Sequence, residues 1–171
     1  ARLLRDPVRR VRLAAVERLV DVPLASLTDD QRRAFEDAMI EFRQSQEMSL
    51  DQAGGNLSLA ILARRYGGPA EAIEYLRTAI RLQPYLAGPR LELASLLGGM
   101  PGNDDEVRRL REEEAKLLER DARLAPNNPL IFYQLAKLTY LLDDYDKSQE
   151  AIETACGLAP RNFEFLFFRA L

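Results

Sequence analysis

Histidine and tryptophan are absent from the 171-residue chain, and cysteine occurs once, at Cys156. Without histidine the chain has no His-based catalytic triad, no imidazole metal ligand and no imidazole proton shuttle. One cysteine excludes an internal disulfide, a Cys-x-x-Cys redox pair and a zinc knuckle. A nucleophilic thiol needs a neighbouring base, so Cys156 is interpreted as a buried, inert thiol. The composition therefore predicts a protein that is not an enzyme and holds no cofactor or metal.

Long apolar runs are also lacking, and none is long enough to cross a bilayer, so no membrane association is predicted. The chain begins at Ala1 without a signal peptide and closes on an apolar helical start, which we interpret as a piece of a longer protein. The sequence does not distinguish between two compartments, the cytoplasm and, for an exported parent protein, the periplasm.

Excess charge of one sign is missing overall, since 24 Lys and Arg stand against 27 Asp and Glu. The charges are distributed unevenly, however. Six arginines fall in the first 28 residues, at Arg2, Arg5, Arg9, Arg10, Arg12 and Arg18. This cluster makes nucleic-acid binding one alternative function, whereas the net charge of −3 favours an ordinary solvated helix face.

Three local patterns suggest chemistry but lack essential residues. The first is a group of four acids, Asp143, Asp144, Asp146 and Glu150. They lack the order and the glycine of an EF-hand loop, so we expect them in a tight turn, capping a helix. The segment 98–102 is rich in glycine but has no Lys or Ser/Thr to hold phosphate, and we interpret it as a flexible inserted loop. Glu113 and Glu114 are predicted on different sides of an exposed helix, which gives no carboxylate pair.

Helix is favoured throughout, because β-branched residues are sparse and Leu, Ala, Glu and Arg dominate. Asp6 and Pro7 mark the start of a first helix. Thr28 and Gln31 predict a capping box for a second helix, which should run to about Met48.

A repeat begins near residue 53. Three triplets end in proline: Leu82-Gln83-Pro84, Leu124-Ala125-Pro126 and Leu158-Ala159-Pro160. Before the first and third prolines, small residues recur in the same register, at Ala60, Ala72, Ala79 and at Ala136, Ser148, Ala155. Small residues allow helices to cross closely, and proline stops a helix, so each unit is predicted to be a pair of antiparallel helices.

This pattern resembles the tetratricopeptide repeat over about residues 53–162. The resemblance implies an all-α, right-handed solenoid of stacked helix pairs. Its repeats are 53–86, 87–128 with an insertion, 129–162 and the start of a fourth at 163–171. Residues 1–28 resemble a HEAT-like fragment, and 29–52 would form a linking helix packed as half a repeat.

In this family the first helix of each pair lines a groove. The corresponding positions are Asn56, Arg64, Arg65, Arg90, Glu92, Tyr133, Gln134, Lys137 and Tyr140. The tyrosines and nearby cations suit an extended peptide with acidic groups. The alternative is that Tyr133 and Tyr140 simply pack against neighbouring helices. Leu57 and Ile61 occupy positions where one subset of the family uses Lys and Asn to clamp a carboxylate, so that binding mode is not expected.

The apolar end offers a second surface. Phe163, Phe165, Phe167 and Phe168 need cover, which a second copy of the chain would supply. The sequence thus predicts a non-catalytic scaffold that binds a protein or peptide partner through the groove or this end. The order of segments is also similar to larger bacterial proteins that join such repeats to a multihaem cytochrome domain. That similarity implies an accessory module of a redox enzyme as the alternative function.

Overall fold

A computed structural model describes residues 2–19 and 22–170, and every regular element in those ranges is helical. The helices are α1 (Arg9–Leu19), α2 (Asp29–Glu47), α3 (Ala53–Leu62), α4 (Pro69–Leu82), α5 (Pro89–Leu97), α6 (Asp104–Leu124), α7 (Pro129–Tyr140), α8 (Tyr145–Leu158) and α9 (Phe163–Arg169). Short 3-10 turns lie at Leu3–Arg5 and Leu24–Ser26, and a π-helical turn at Ala63–Gly67 follows α3.

The helices divide into two compact units, with the boundary between Pro84 and Tyr85. The first unit contains α1 to α4 and the second contains α5 to α9. The boundary therefore falls two residues before the predicted end of the first repeat at residue 86, and the predicted limits at residues 28 and 52 lie inside the first unit.

Helix pairing follows the predicted hairpins. Helices α3 and α4, α5 and α6, and α7 and α8 pack against each other as pairs. Small residues lie at the crossings: Ala72 and Ala79 are fully buried, and so is Ala136. At one crossing the Oγ of Ser148 donates a 2.9 Å hydrogen bond to the carbonyl oxygen of Ala136. A larger side chain there would separate the helices and break this bond.

Proline ends the second helix of every pair at the same distance. Helices α4, α6 and α8 stop two residues before Pro84, Pro126 and Pro160. The residue before each proline has nearly the same backbone, with φ/ψ of −134/80°, −132/66° and −137/70°. Proline excludes the α conformation in the residue that precedes it, so each helix must end there. The ends of these three helices confirm the prediction that a proline terminates the second helix of each pair.

The core of the first unit joins three helices. Val16 of α1, Phe35 and Phe42 of α2, and Leu62 of α3 are buried in one apolar cluster. Because α3 contributes to this cluster, the N-terminal helices and the first hairpin fold as one body.

The start of α2 has the predicted capping box. The hydroxyl of Thr28 accepts a hydrogen bond from the Gln31 backbone N–H at 3.3 Å, and the Gln31 side chain accepts one from the Thr28 N–H at 3.0 Å. Helix α2 ends at Glu47, with Met48 as its C-terminal cap, close to the predicted end.

The second unit contains a buried carboxylate that the sequence did not reveal. Glu114 is 1% exposed and accepts a hydrogen bond from the backbone N–H of Gly88, just before α5. Burial raises the pKa of the Glu114 carboxyl, while the Gly88 N–H and the charge of Arg90 oppose this shift. Glu113 and Glu114 were expected on different sides of an exposed helix, and this expectation of exposure does not hold for Glu114, which faces inward and connects α6 to the start of α5.

We expect Thr28→Ala to lower the free energy of unfolding by about 1 kcal/mol, because it leaves the backbone N–H of Gln31 in the first turn of α2 without its acceptor. Urea denaturation followed by circular dichroism measures this loss. Thr28→Ser keeps an accepting hydroxyl and serves as the control. An equal loss for both variants would contradict a capping role for the hydroxyl.

Candidate functional site

Five aromatic side chains meet where α7, α8 and α9 approach each other. This aromatic cluster consists of Tyr133, Tyr140, Tyr145, Phe165 and Phe168. Tyr133 and Tyr140 lie two turns apart on one face of α7, whereas Tyr145 begins α8. The ring of Tyr140 is 5.5 Å from that of Tyr145 and 5.9 Å from that of Phe168, both edge to face. Such edge contacts are favoured by aromatic quadrupoles, so the rings support each other.

Tyr133 forms the buried base of the cluster. It is 9% exposed, and its ring centroid lies 4.7 Å from that of Phe165. Its hydroxyl donates a 2.9 Å hydrogen bond to Oε1 of Glu164 at the start of α9. Burial, followed by the bond to Glu164, raises the pKa of Tyr133 to about 12. Tyr133 therefore fixes α9 against α7.

The outer part of the cluster is accessible. Tyr140 is 47% exposed, and Lys137, one turn before it, is also exposed. The Nζ of Lys137 lies 5.0 Å above the ring of Tyr133, and no acidic side chain in the described part of the chain pairs with it. Exposed Gln134 lies on the same helix. This surface offers a cation, an aromatic ring and amide groups to a ligand.

The other predicted groove residues are divided between the two units. Asn56 lies in the first unit and is buried, and its amide donates to the carbonyl oxygens of Leu50 and Gln52 at 2.8 and 2.9 Å. Arg64 and Arg65 lie in the π-helical turn and are exposed. The Asn56 amide is therefore used within the chain, and Arg64 and Arg65, although exposed, also interact with other groups of the chain.

Arg90 and Glu92 belong to α5 in the second unit. Arg90 is 6% exposed, and its Nε donates a 3.0 Å hydrogen bond to Glu113 of α6. Glu92 is exposed. Of the nine predicted groove positions, the structure thus brings together Tyr133, Lys137 and Tyr140 in one cluster.

The four terminal phenylalanines have different environments. Phe165 is fully buried, and Phe168 is half-buried against Tyr133 and Tyr140. Phe163 and Phe167 lie one turn apart on the other side of α9, 86% and 69% exposed. Half of this apolar end is therefore covered by the chain itself.

Asp144 and the single cysteine of the described ranges serve structural contacts. No cluster of three or more Cys, Asp and Glu there is arranged to hold a metal ion. The carboxylate of Asp144 accepts from the backbone N–H of Lys147 and caps α8, as predicted. Cys156 is a free, buried thiol. Among the described residues, no helix is long and apolar enough to span a membrane.

The chain is similar to known proteins in two respects, a repeat in its sequence and its overall fold. Residues 130–162 match the tetratricopeptide repeat, and no curated protein matches the chain. A crystal structure of MamA is similar over 84% of this chain and 81% of that one, with a TM-score of 0.52 and 17% sequence identity. A second crystal structure of MamA protein covers 92% of this chain and 84% of that one, with a TM-score of 0.45 and 17% identity.

The hairpin of α7 and α8 therefore matches the tetratricopeptide repeat, which confirms the resemblance seen in the sequence for residues 130–162. At 17% identity, the first MamA structure shows the fold alone, and it confirms the predicted all-α solenoid class. Repeat and fold together support a protein–protein interaction scaffold in general terms. The sequence missed Tyr145 and Glu164, whose link to α7 depends on contacts between separate helices.

We expect Tyr133→Phe to change how stability depends on pH above 10. The pKa of Tyr133 is raised from 10.0 to about 12 in the folded chain, so between these values the unfolded chain ionises first. This contribution to stability is present below pH 10 and disappears as the pH rises through about 12, a loss of roughly 3 kcal/mol. The variant lacks this loss. Near neutral pH it is less stable by about 1 kcal/mol, because the bond to Glu164 is gone.

Urea denaturation at a series of pH values measures both effects as the difference between wild type and variant. Other titrating groups cancel in that difference. Tyr85→Phe, at a 73% exposed tyrosine in the same unit, is the matched control and should follow the wild type. A constant difference between wild type and Tyr133→Phe across this range would contradict the buried environment of Tyr133.

Proposed function

We propose that the chain is a non-catalytic scaffold that binds an extended peptide with acidic groups on the exposed face of α7. The binding residues are Gln134, Lys137 and Tyr140, with Tyr133 beneath them. The proposal depends on one observation: Lys137 is held over an aromatic ring and has no acidic partner among the described residues.

The geometry supports a preorganised site. Tyr140 is held by edge contacts with Tyr145 and Phe168, so little side-chain entropy is lost when a ligand packs on it. A peptide carboxylate would meet the Lys137 ammonium, and the Gln134 amide would bond to the peptide backbone.

A nuclear magnetic resonance titration tests this surface. The probe is a synthetic peptide of alternating Glu and Val, which favours an extended backbone. We expect amide shifts concentrated in α7 and α9, and Lys137→Glu should weaken binding roughly fivefold by replacing an attraction with a repulsion. Lys116→Glu, an exposed lysine on α6, is the matched control. Shifts confined to other helices, or equal losses for both variants, would reject the proposal.

We further propose that the exposed face of α9 associates with a second copy of the chain. Asn162 caps α9 as Asn128 caps α7, 34 residues earlier, so α9 begins like the first helix of another repeat. Phe163 and Phe167 form an exposed apolar pair on this helix. An isolated repeat leaves an apolar face, and stacking on a neighbour covers it.

Sedimentation velocity at tens of micromolar tests self-association. The wild type should form a dimer, and the double variant Phe163→Ser, Phe167→Ser should be monomeric, because it removes the exposed pair and leaves buried Phe165 in place. Leu124→Ser, at a 76% exposed leucine on α6, is the control and should remain dimeric. A monomeric wild type would refute association through this end.

A further inference from the structure

The six N-terminal arginines fall into two sets. Arg5 donates two hydrogen bonds of 2.6 and 2.9 Å to the carboxylate of Asp30. Arg12 donates two of 2.7 and 3.1 Å to Glu41, and Arg9 lies 3.9 Å from the same carboxylate. These arginines hold the pKa values of Asp30 and Glu41 below their usual range. Half of the cluster is therefore used to connect the N-terminal segment and α1 to α2.

The remaining arginines, Arg2, Arg10 and Arg18, have a different environment. They line an open groove of about 780 Å³ between the Leu3–Arg5 turn and α1. Within residues 2–19 and 22–170, no carboxylate forms an ion pair with any of the three. The groove therefore carries three positive charges that the described part of the chain does not neutralise.

Between these charges the groove is apolar. Its lining includes Leu3, Val8, Val11 and Leu19, and Leu3 and Val8 are 60% and 55% exposed. Apolar side chains of this size gain from being covered, and here the chain leaves them in contact with water. The surface thus combines an apolar floor with cationic edges.

The spacing on α1 suits another helix. Arg10 and Arg18 are eight residues apart on one face, which corresponds to about 12 Å along the helix axis. Ala14 lies between them on the same face, and Ala15, also in the lining, is buried. Small residues let a second helix approach closely, and acids two turns apart on that helix would face the two arginines.

We propose that this surface, the arginine groove (Arg2, Leu3, Val8, Arg10, Val11 and Arg18), binds an amphipathic helix of a partner protein. The apolar stripe of that helix packs on the floor of the groove. Acidic residues that flank the stripe pair with the three arginines. This is the helix-in-groove mode of recognition, with charge complementarity setting orientation and partner choice. The arginine groove lies in the first unit, apart from the α7 surface proposed above, and does not depend on it.

A nucleic acid fits this surface less well. Phosphate binding uses cations and hydrogen-bond donors and gains little from the apolar floor, and three of the six arginines already form ion pairs with Asp30 or Glu41. The chain as a whole is also acidic, at −3. A duplex remains the informative competitor, because it separates simple charge attraction from recognition of an amphipathic helix.

Fluorescence anisotropy with the 171-residue chain tests the proposal. The probe is a labelled synthetic helix of about four turns, with Leu at every third or fourth position, Glu on both flanks of this stripe and Ala elsewhere. A second peptide has the same composition, with Leu spread around the helix. A labelled DNA duplex is the third probe, at the same salt concentration.

Three variants locate the binding. Arg10→Glu with Arg18→Glu should weaken binding of the amphipathic peptide roughly fivefold or more, because two attractions become repulsions. Leu3→Asp should also weaken binding of the amphipathic peptide, because it places a charge on the apolar floor of the groove. Folding should be unaffected, because Leu3 is 60% exposed. Arg109→Glu with Arg123→Glu makes the same charge change on exposed residues of α6 and should bind like the wild type. Circular dichroism checks that each variant is folded.

Tight binding of the amphipathic peptide, lost in both groove variants and retained in the α6 control, would support the proposal. Equal binding of the rearranged peptide, or equal losses in the α6 control, would show charge attraction only and overturn it. A duplex that binds more tightly than the peptide and depends on Arg10 and Arg18 would assign the groove to nucleic acid instead. An amphipathic peptide that does not bind would also reject it.

Discussion

Close approach of paired helices is the constraint on which this structure depends. Where two helices cross, the side chain must be small, as at Ala72, Ala79 and Ala136, and the Ser148 hydroxyl bonds directly to the backbone opposite. The second helix of each pair also needs a defined end, which the prolines set in α4, α6 and α8. A hairpin built this way leaves one apolar face uncovered, so each one needs a neighbour.

The neighbours that cover these faces differ along the chain. In the first unit, α1 and α2 bury Val16 and Phe35 in the same cluster as Leu62 of α3. In the second unit, α9 covers the face of the α7–α8 hairpin by packing Phe165 against Tyr133. Exposed apolar pairs remain on the outer face of α9, at Phe163 and Phe167, and in the groove beside α1, at Leu3 and Val8. A further polypeptide is proposed to cover each of these surfaces.

Charge separates residues that hold the fold from residues that are available to a ligand. Arg5, Arg12 and Arg90 form ion pairs with carboxylates of the same unit. Lys137 lies over an aromatic ring, and its ammonium faces no acid in the described part of the chain. The amino-acid composition does not distinguish these cations from one another. Their distances from carboxylates show which of them form ion pairs within the chain and which do not.

Local sequence determined the helices, the capping box at Thr28, the proline stops and the positions of the small residues. Each of these depends on backbone sterics or on groups a few residues apart, which a sequence states directly. Tertiary structure decided which side chains of those helices are covered. The sequence left open whether Tyr133 and Tyr140 bind a ligand or pack against neighbouring helices, and it predicted that the helix containing Glu114 is exposed. Tyr133 is buried by α9, more than 30 residues away, and Glu114 is bonded to Gly88. Burial depends on which helices become neighbours, and such contacts between distant residues have no local sequence signal.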